Sequence, residues 1–557
     1  MMAHVLFFCT ARRCLAKNDL KGGSRAVAGN GLRNPRAWLL AVGLVALVAP
    51  VLTATPVRAQ VNRDDIGNAG VEAWLALARL DPAKLRTFVE ELPKGGDLHT
   101  HLSGAASTEL LITLAAQDGM CIDVEKFIAT FSKDTFPPCG SQQRSAQDAV
   151  SDQGFRDDVI GAWSMEGFQP GQGETGRDHF FAAFEKFNKV TGNHRPEMLA
   201  QVVSKAADEN EVYMESMTAR QSDRVFELSQ RISFDSAFSK MRDAILADGA
   251  LPDILAGARA ETDNDEAAYR QLLRCGTPQA LRGCDLVLRY IHPVSRKMDP
   301  KVVFTFMLYG FELAEADGRY VALNLAASED DPVALRDYHL HMSMLDYLRS
   351  VYSTAHITLH AGELVLGLVP AEELTYHIRE AVITGHAERI GHGVDVRHED
   401  HWPELMRTMA ARHVMVESPL TSNAQILEVT GHQHPFPYYR ALGVPVGLAT
   451  DDEGVLRIDL TNEYQRAVTT YNLTYRDLKT LARTTLDHAF LPGESLWRGP
   501  DDFVPASPCG DDALGGPSPS PPCQALLDRS QKAALQWRHE AMLHSFEDSH
   551  SLYCPSK

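Results

Sequence analysis

The chain has 557 residues, 44% of them hydrophobic and 23% charged, enough to build one large domain around a sizeable core. Its formal net charge is −19, and residues 1–59 hold eight Lys/Arg against the single acidic Asp19, so the body beyond Ala59 is more acidic still. Such a surface repels nucleic-acid backbones and excludes them as partners, leaving neutral or cationic small molecules as ligands.

The basic leader has its own logic. Arg33 and Arg36 precede a charge-free apolar run, Ala37 to Val57, and Val57-Arg58-Ala59 puts small residues where a signal peptidase reads. This pattern predicts a secretory signal cleaved after Ala59, a secreted or periplasmic location, and no stable membrane insertion after cleavage. Residues 1–32 fall outside that pattern, and a start near Val27 or Leu32 fits it better. Residues 60–557 are expected to form a single domain.

Residues 61–93 carry helical apolar spacing, restarted at Asp81-Pro82. Eight short apolar runs follow, each ending in polar residues: Asp97–His101, Val212–Met217, Leu286–Ile291, Val321–Ala326, His356–His360, Arg389–His392, His413–Glu417 and Val444–Ala449. Helical patterns such as Ala371–Ile383 and His401–Ala411 separate the later runs. Strand and helix alternating eight times predict a (β/α)8 TIM-type barrel. Residues 119–176 interrupt the repeat after the first strand and read as a Gly/Ser/Gln-rich loop inserted over the barrel mouth. Residues 498–525 read as a Pro-rich loop, followed by an extra C-terminal helix, Gln524–Phe546. Beyond the leader, six cysteines fall into the local couples 121/139, 275/284 and 509/523, which predict three short-loop disulfides with Cys554 left over.

Chemistry gathers at the predicted C-terminal strand ends, where barrel enzymes place their sites. His99 and His101 are two apart and share one face of the first strand. His360 ends the fifth strand, and Glu363 follows it across the turn at Gly362. His392 stands between two glycines. Asp451 and Asp452 end the last strand, and adjacent carboxylates there are costly to gather without a cation. Three imidazoles with carboxylates suit a hydrolytic zinc centre.

Taken together, His-x-His-Leu-x-Gly104, His360-Ala-Gly-Glu363, Arg389-Ile-Gly-His392-Gly, Ser418-Pro-Leu-Thr-Ser-Asn423 and Thr450-Asp-Asp452 resemble the adenosine deaminase family over Lys94 to about Glu463. The insertion, the leader and Asp178–Phe187 resemble its exported branch. The resemblance implies one zinc per chain, held by His99, His101, His360 and Asp451. It also implies hydrolytic deamination of adenosine, and of 2′-deoxyadenosine, to inosine and ammonia. Glu363 then protonates purine N1, His392 orients and deprotonates the attacking water, and Asp452 meets N7. Ser103 stands where the family carries an Asp that meets the sugar, Ala327 where it carries a Gly against the purine edge, and Ser418 where it carries Cys. These departures bear on the nucleoside preferred, so another aminopurine or an N6-modified nucleoside stays open as substrate. A purine-binding or signalling protein without turnover is the alternative of another class. The expected partner is a small purine nucleoside, with a homodimer also open. The His-x-Glu and Pro-Cys-x-x-Cys signature of the cytidine-type deaminases is absent.

Overall fold

The computed structural model describes residues 63–132, 139–171 and 173–550. The leader and Cys554 lie outside these residues. The described residues begin with helices Arg63–Ala78 and Pro82–Glu91, the second capped by Asp81, whose side chain accepts from the Ala83 N–H. Asp299-Pro300 and Asp331-Pro332 start two later helices in the same way. Aspartate satisfies an orphan N–H at each start, and proline at the first helical position loses no hydrogen bond.

Eleven strands are described: β1 Gly95–His101, β2 Cys121–Asp123, β3 Ala129–Thr130, β4 Gln143–Ser145, β5 Glu211–Met217, β6 Val287–Ser295, β7 Tyr320–Ala326, β8 His356–Ala361, β9 Arg389–His392, β10 Met415–Ser418 and β11 Val446–Leu448. Eight of them form one parallel sheet in the order β1-β5-β6-β7-β8-β9-β10-β11. A parallel bridge between Thr100 and Asp451 joins the two edges and closes the ring. Helices such as Arg195–Asp208, Pro300–Ala316, Pro332–Val351 and Tyr475–Asp487 surround it. The protein is therefore a (β/α)8 barrel. All eight barrel strands lie where the apolar runs place them.

Two expectations are revised. The insertion after β1 is not one long loop: β2 pairs antiparallel with β3 and β4, and helices Ala146–Ser151 and Gln153–Trp163 follow. Trp163 is wholly buried and donates to the Phe127 carbonyl at 2.7 Å, so this lobe carries apolar anchors of its own. The C-terminal helix is broken in two, Pro521–Arg529 and Gln531–Ser549, because Ser530 caps the second piece. The Pro-rich stretch before it packs Cys509 and Cys523 with Leu496, Trp497 and Trp537 in a small separate core. Disulfides join Cys121 to Cys139, Cys275 to Cys284 and Cys509 to Cys523. Among the described residues, no helix is long and apolar enough to cross a membrane.

Candidate active site

Closure of the barrel also assembles the site. Asp97 of β1 accepts from the His99 N–H at 2.9 Å through one oxygen, and from the Thr450 N–H and hydroxyl through the other. The end of β11 is thereby fixed against the strand that carries His99 and His101. The register between β8 and β9 sets Ala361 beside His392. His360 and His392 thus reach His99 and His101 from β8 and β9, and Asp451 from the strand end beside them.

The side chains converge. His99 Nε2 and His360 Nε2 are 3.1 Å apart, and His101 Nε2 and His360 Nε2 are 3.2 Å apart. Asp451 Oδ1 lies 3.6 Å from His99 Nε2 and 3.4 Å from His101 Nε2. His392 Nε2 lies 3.9 Å from Asp451 Oδ2. His99, His360, His392 and Asp451 form one compact buried donor group, and His101, Asp451 and Asp452 a second that shares Asp451.

The outer ring nitrogens are occupied. His99 Nδ1 meets the Glu417 carboxylate at 2.7 Å, and His360 Nδ1 meets Asn324 Oδ1 at 2.6 Å. Both partners only accept there, so each Nδ1 carries the proton and each neutral ring turns a bare Nε2 lone pair inward. Two such lone pairs 3.1 Å apart repel unless a proton or a cation lies between them. Donor atoms about 2.1 Å from a tetrahedral centre are themselves roughly 3.3 Å apart. His99, His101, His360 and Asp451, with donor atoms 3.1–3.6 Å apart in the pairs above, therefore fit one zinc ion in number, type and spacing.

The electrostatics agree. Burial opposes charge on His99, but with no cation beside it the Asp451 and Glu417 carboxylates overcome burial and push its pKa up to about 10, so a proton takes the place at Nε2 that a metal ion would fill. Burial pushes His101 down to about 4, and burial with the neighbouring imidazoles takes His360 well below its usual range. Burial pushes Glu363 up to about 7. Burial, reinforced by the adjacent Asp451, raises Asp452 well above the carboxylate range, and its buried Oδ1 has no hydrogen-bond partner.

Backbone strain concentrates here. Ala327, His392 and Asp451 adopt φ of 71°, 69° and 64° at the ends of β7, β9 and β11, a region non-glycine residues avoid. Two motif glycines make room for the functional groups. A Cβ on Gly104 would fall 1.7 Å from Asp452 Oδ1, and one on Gly391 2.5 Å from the His99 ring. Ser103 sits half-buried in the short helix Leu102–Ala105, and Ala327 is also half-buried.

Several residues of the site carry no role in the sequence motifs. Glu417 accepts from His99, from Thr358 Oγ1 at 3.0 Å and from Arg389 Nε at 2.6 Å, and Arg389 also pairs with Glu215. Glu329 accepts from the backbone N–H of Gly362 at 3.2 Å and of Glu363 at 2.8 Å, and meets His377 Nδ1 at 2.7 Å. Arg296 donates to the His360 carbonyl at 2.7 Å. Ser422 donates to Asp451 Oδ2 at 2.7 Å. Polar residues inside apolar strands, Asn324 and Glu417 above all, were the available signal.

A closed parallel barrel with imidazoles and paired aspartates gathered at its carboxyl end defines the class: a (β/α)8 barrel with a metal-type donor cluster at the face where such barrels do chemistry. Residues 258–497 match the family model described as adenosine deaminase. That stretch carries His360, Glu363, His392, Asp451 and Asp452; His99 and His101 lie outside it and reach the site through barrel closure. The adenosine deaminase of Shewanella loihica is 38% identical over 136 residues, which are 24% of this chain and 38% of that relative. That of Edwardsiella ictaluri is 36% identical over 152 residues, 26% of this chain and 42% of the relative. The chain thus spans about two fifths of the length of these curated relatives. Among solved structures, the N6-methyl-AMP deaminase of Arabidopsis thaliana aligns over 73% of this chain and 94% of its own, at 20% identity and a TM-score of 0.46.

Proposed function

We propose that the protein is a zinc-dependent aminohydrolase that converts adenosine, and 2′-deoxyadenosine, to inosine and ammonia. One observation carries this: two inward Nε2 atoms 3.1 Å apart at the same barrel end as a buried Glu363, which burial pushes up to about 7. His99, His101, His360 and Asp451 hold one zinc per chain. When bound, zinc acts as a Lewis acid that brings the pKa of a water molecule toward about 7.

The remaining chemistry belongs to the chain's own carboxyls and His392. An amino group leaves a purine only if ring nitrogen gains a proton as oxygen adds at C6. Glu363 holds a proton at neutral pH, which it delivers to N1. Asp452, kept protonated by burial and by Asp451, donates from its carboxyl to N7. His392 lies beside Asp451 and faces the attacking oxygen. Burial of these groups excludes competing water and strengthens each contact.

The three disulfides support an oxidising compartment, hence a secreted or periplasmic enzyme. Ser103 offers a hydroxyl in place of a carboxylate at the sugar end, so adenine and N6-methyladenosine belong in the substrate panel.

The test is metal content together with loss of the adenosine absorbance band on adding purified protein. Glu363→Gln keeps zinc and substrate binding and loses about 10²–10⁴ in kcat, as expected for a general acid. His360→Ala loses the metal as well. Near-normal turnover in Glu363→Gln contradicts the assignment, and full zinc occupancy in His360→Ala removes His360 from the ligand set.

A further inference from the structure

The Asn423 side chain joins two buried rings. His392 Nδ1 lies 2.8 Å from Asn423 Oδ1, and Asn423 Nδ2 lies 2.8 Å from His434 Nε2. The far end of this chain is fixed by backbone. The Phe436 N–H, in the first turn of the helix Phe436–Ala441, donates to His434 Nδ1 at 3.1 Å. Phe436 is wholly buried, and an N–H at a helix start has no partner within the helix.

A neutral imidazole carries one N–H. Burial pushes the His434 pKa down to about 3, so the ring is neutral. With Nδ1 accepting, the proton sits on Nε2 and needs an oxygen opposite it. The two ends of a carboxamide have the same size, and hydrogen bonding decides which faces which. The Asn423 oxygen therefore belongs toward His434 and its NH2 toward His392. His392 Nδ1 then accepts, and the His392 proton goes to Nε2. That nitrogen is buried, has no protein hydrogen-bond partner and points toward Asp451 Oδ2.

We propose that Asn423 and His434 are positioning residues that hold His392 as its Nε2–H tautomer, a hydrogen-bond donor aimed toward Asp451 and the other donor side chains. The kinetic consequence rests on the deaminase reading: His392 meets the attacking oxygen as a donor, and does not begin by taking its proton. This revises the role that the family resemblance assigns to His392. The tautomer itself is a property of the fold and does not depend on that reading.

Neutron diffraction of the perdeuterated, zinc-loaded protein should place deuterium on Nε2 of both rings and on neither Nδ1. Deuterium on His392 Nδ1 overturns the inference whatever the activity. Kinetics add an independent readout. Asn423→Asp offers only acceptors, which forces the opposite tautomer on His392. Its kcat should fall about 100-fold, in the range of a lost proton-transfer group, with KM within about threefold. A rate at or above wild type marks His392 as a base and overturns the proposal. Because Asn423→Asp buries a new carboxylate, a second pair avoids that burden. His434→Gln keeps an N–H near the old Nε2 and should retain most of kcat. His434→Ala frees the amide to turn and should lose about tenfold, the value of one misdirected hydrogen bond. Equal kcat in both variants and wild type overturns the proposal. A zinc-loaded wild type that turns over no aminopurine sinks the deaminase reading instead, and leaves the neutron result to decide the tautomer.

Discussion

The Asp451 N–H donates to the His99 carbonyl at 2.9 Å, and the Asp451 carbonyl in turn accepts from the next inward-facing residue, His101, at 3.0 Å. The residues that close the barrel are thus the ones proposed to hold zinc. Metal binding and ring closure reinforce one another, so the ion should act as a clamp. A ligand present at 1,000 times its Kd adds about 4 kcal/mol, worth roughly 4 °C in Tm for a chain of this size. Chelation should lower Tm by about that amount and zinc should restore it. His360→Ala should melt like the chelated protein and ignore the chelator. A Tm unmoved by chelation separates closure from metal binding and contradicts the clamp.

The Glu417 carboxylate fixes the proton of His99 on Nδ1 while its other oxygen is tied to Arg389 and Thr358. Glu417→Gln presents one acceptor and one donor to a site that needs two acceptors. Either Arg389 or the His99 Nδ1–H then faces an N–H. Partners of metal ligands typically carry 10–100-fold in affinity. Competition against a chromophoric chelator should show zinc affinity lowered by that factor, with the fold retained by circular dichroism. Unchanged affinity would mean His99 is oriented by packing alone.

The barrel and its centre were legible in the sequence for a physical reason. Buried parallel strands read as apolar runs, and the side chains that face the cavity sit at their polar ends. His99, His101, His360, His392 and Asp451 all announce themselves as polar punctuation. The supporting residues do not. Glu417 shows only as one polar residue inside a short strand, Glu329 lies beyond the end of β7, and His434 sits 11 residues past Asn423 in a loop. Their meaning is set by which strand neighbours which, a property that closure creates. The insertion was misread because its strands are two or three residues long, too short for any periodicity to register.

Glu329 holds the turn that presents Glu363. Its two oxygens accept from the N–H groups of Gly362 and Glu363 and from His377, and Arg296 lies 3.6 Å away. Glu329→Gln leaves one of these buried donors without an acceptor, at a cost of about 1–3 kcal/mol. The cost falls on the placement of Glu363. Turnover should drop by about 10–100-fold while zinc content and KM stay near wild type. A drop in zinc content that tracks the loss of activity would assign Glu329 to His360 instead.

Two sets of buried groups set the pH range of stability. Burial pushes His292, His341 and His539 down to about 4 and His434 to about 3. Between those values and the usual histidine pKa near 6.5, the unfolded chain binds more protons, so stability rises with pH. Burial pushes Glu399 and Glu463 up to about 7, and raises Asp395 and Glu211 well above the carboxylate range. For these the folded chain binds more protons above about pH 4.5. Their contribution is complete below that pH and is lost as pH climbs through the folded values. Below pH 6.5 the two sets oppose each other. Above it only the carboxylates act, each removing about 1.4 kcal/mol per pH unit while it stays mismatched. Urea unfolding of the zinc-loaded protein should therefore give a broad stability maximum between about pH 5 and 6. By pH 8 it should show a fall of a few kcal/mol. A stability that keeps rising from pH 6.5 to 8 would show that these four carboxyls are ionised in the fold, held by partners or by water.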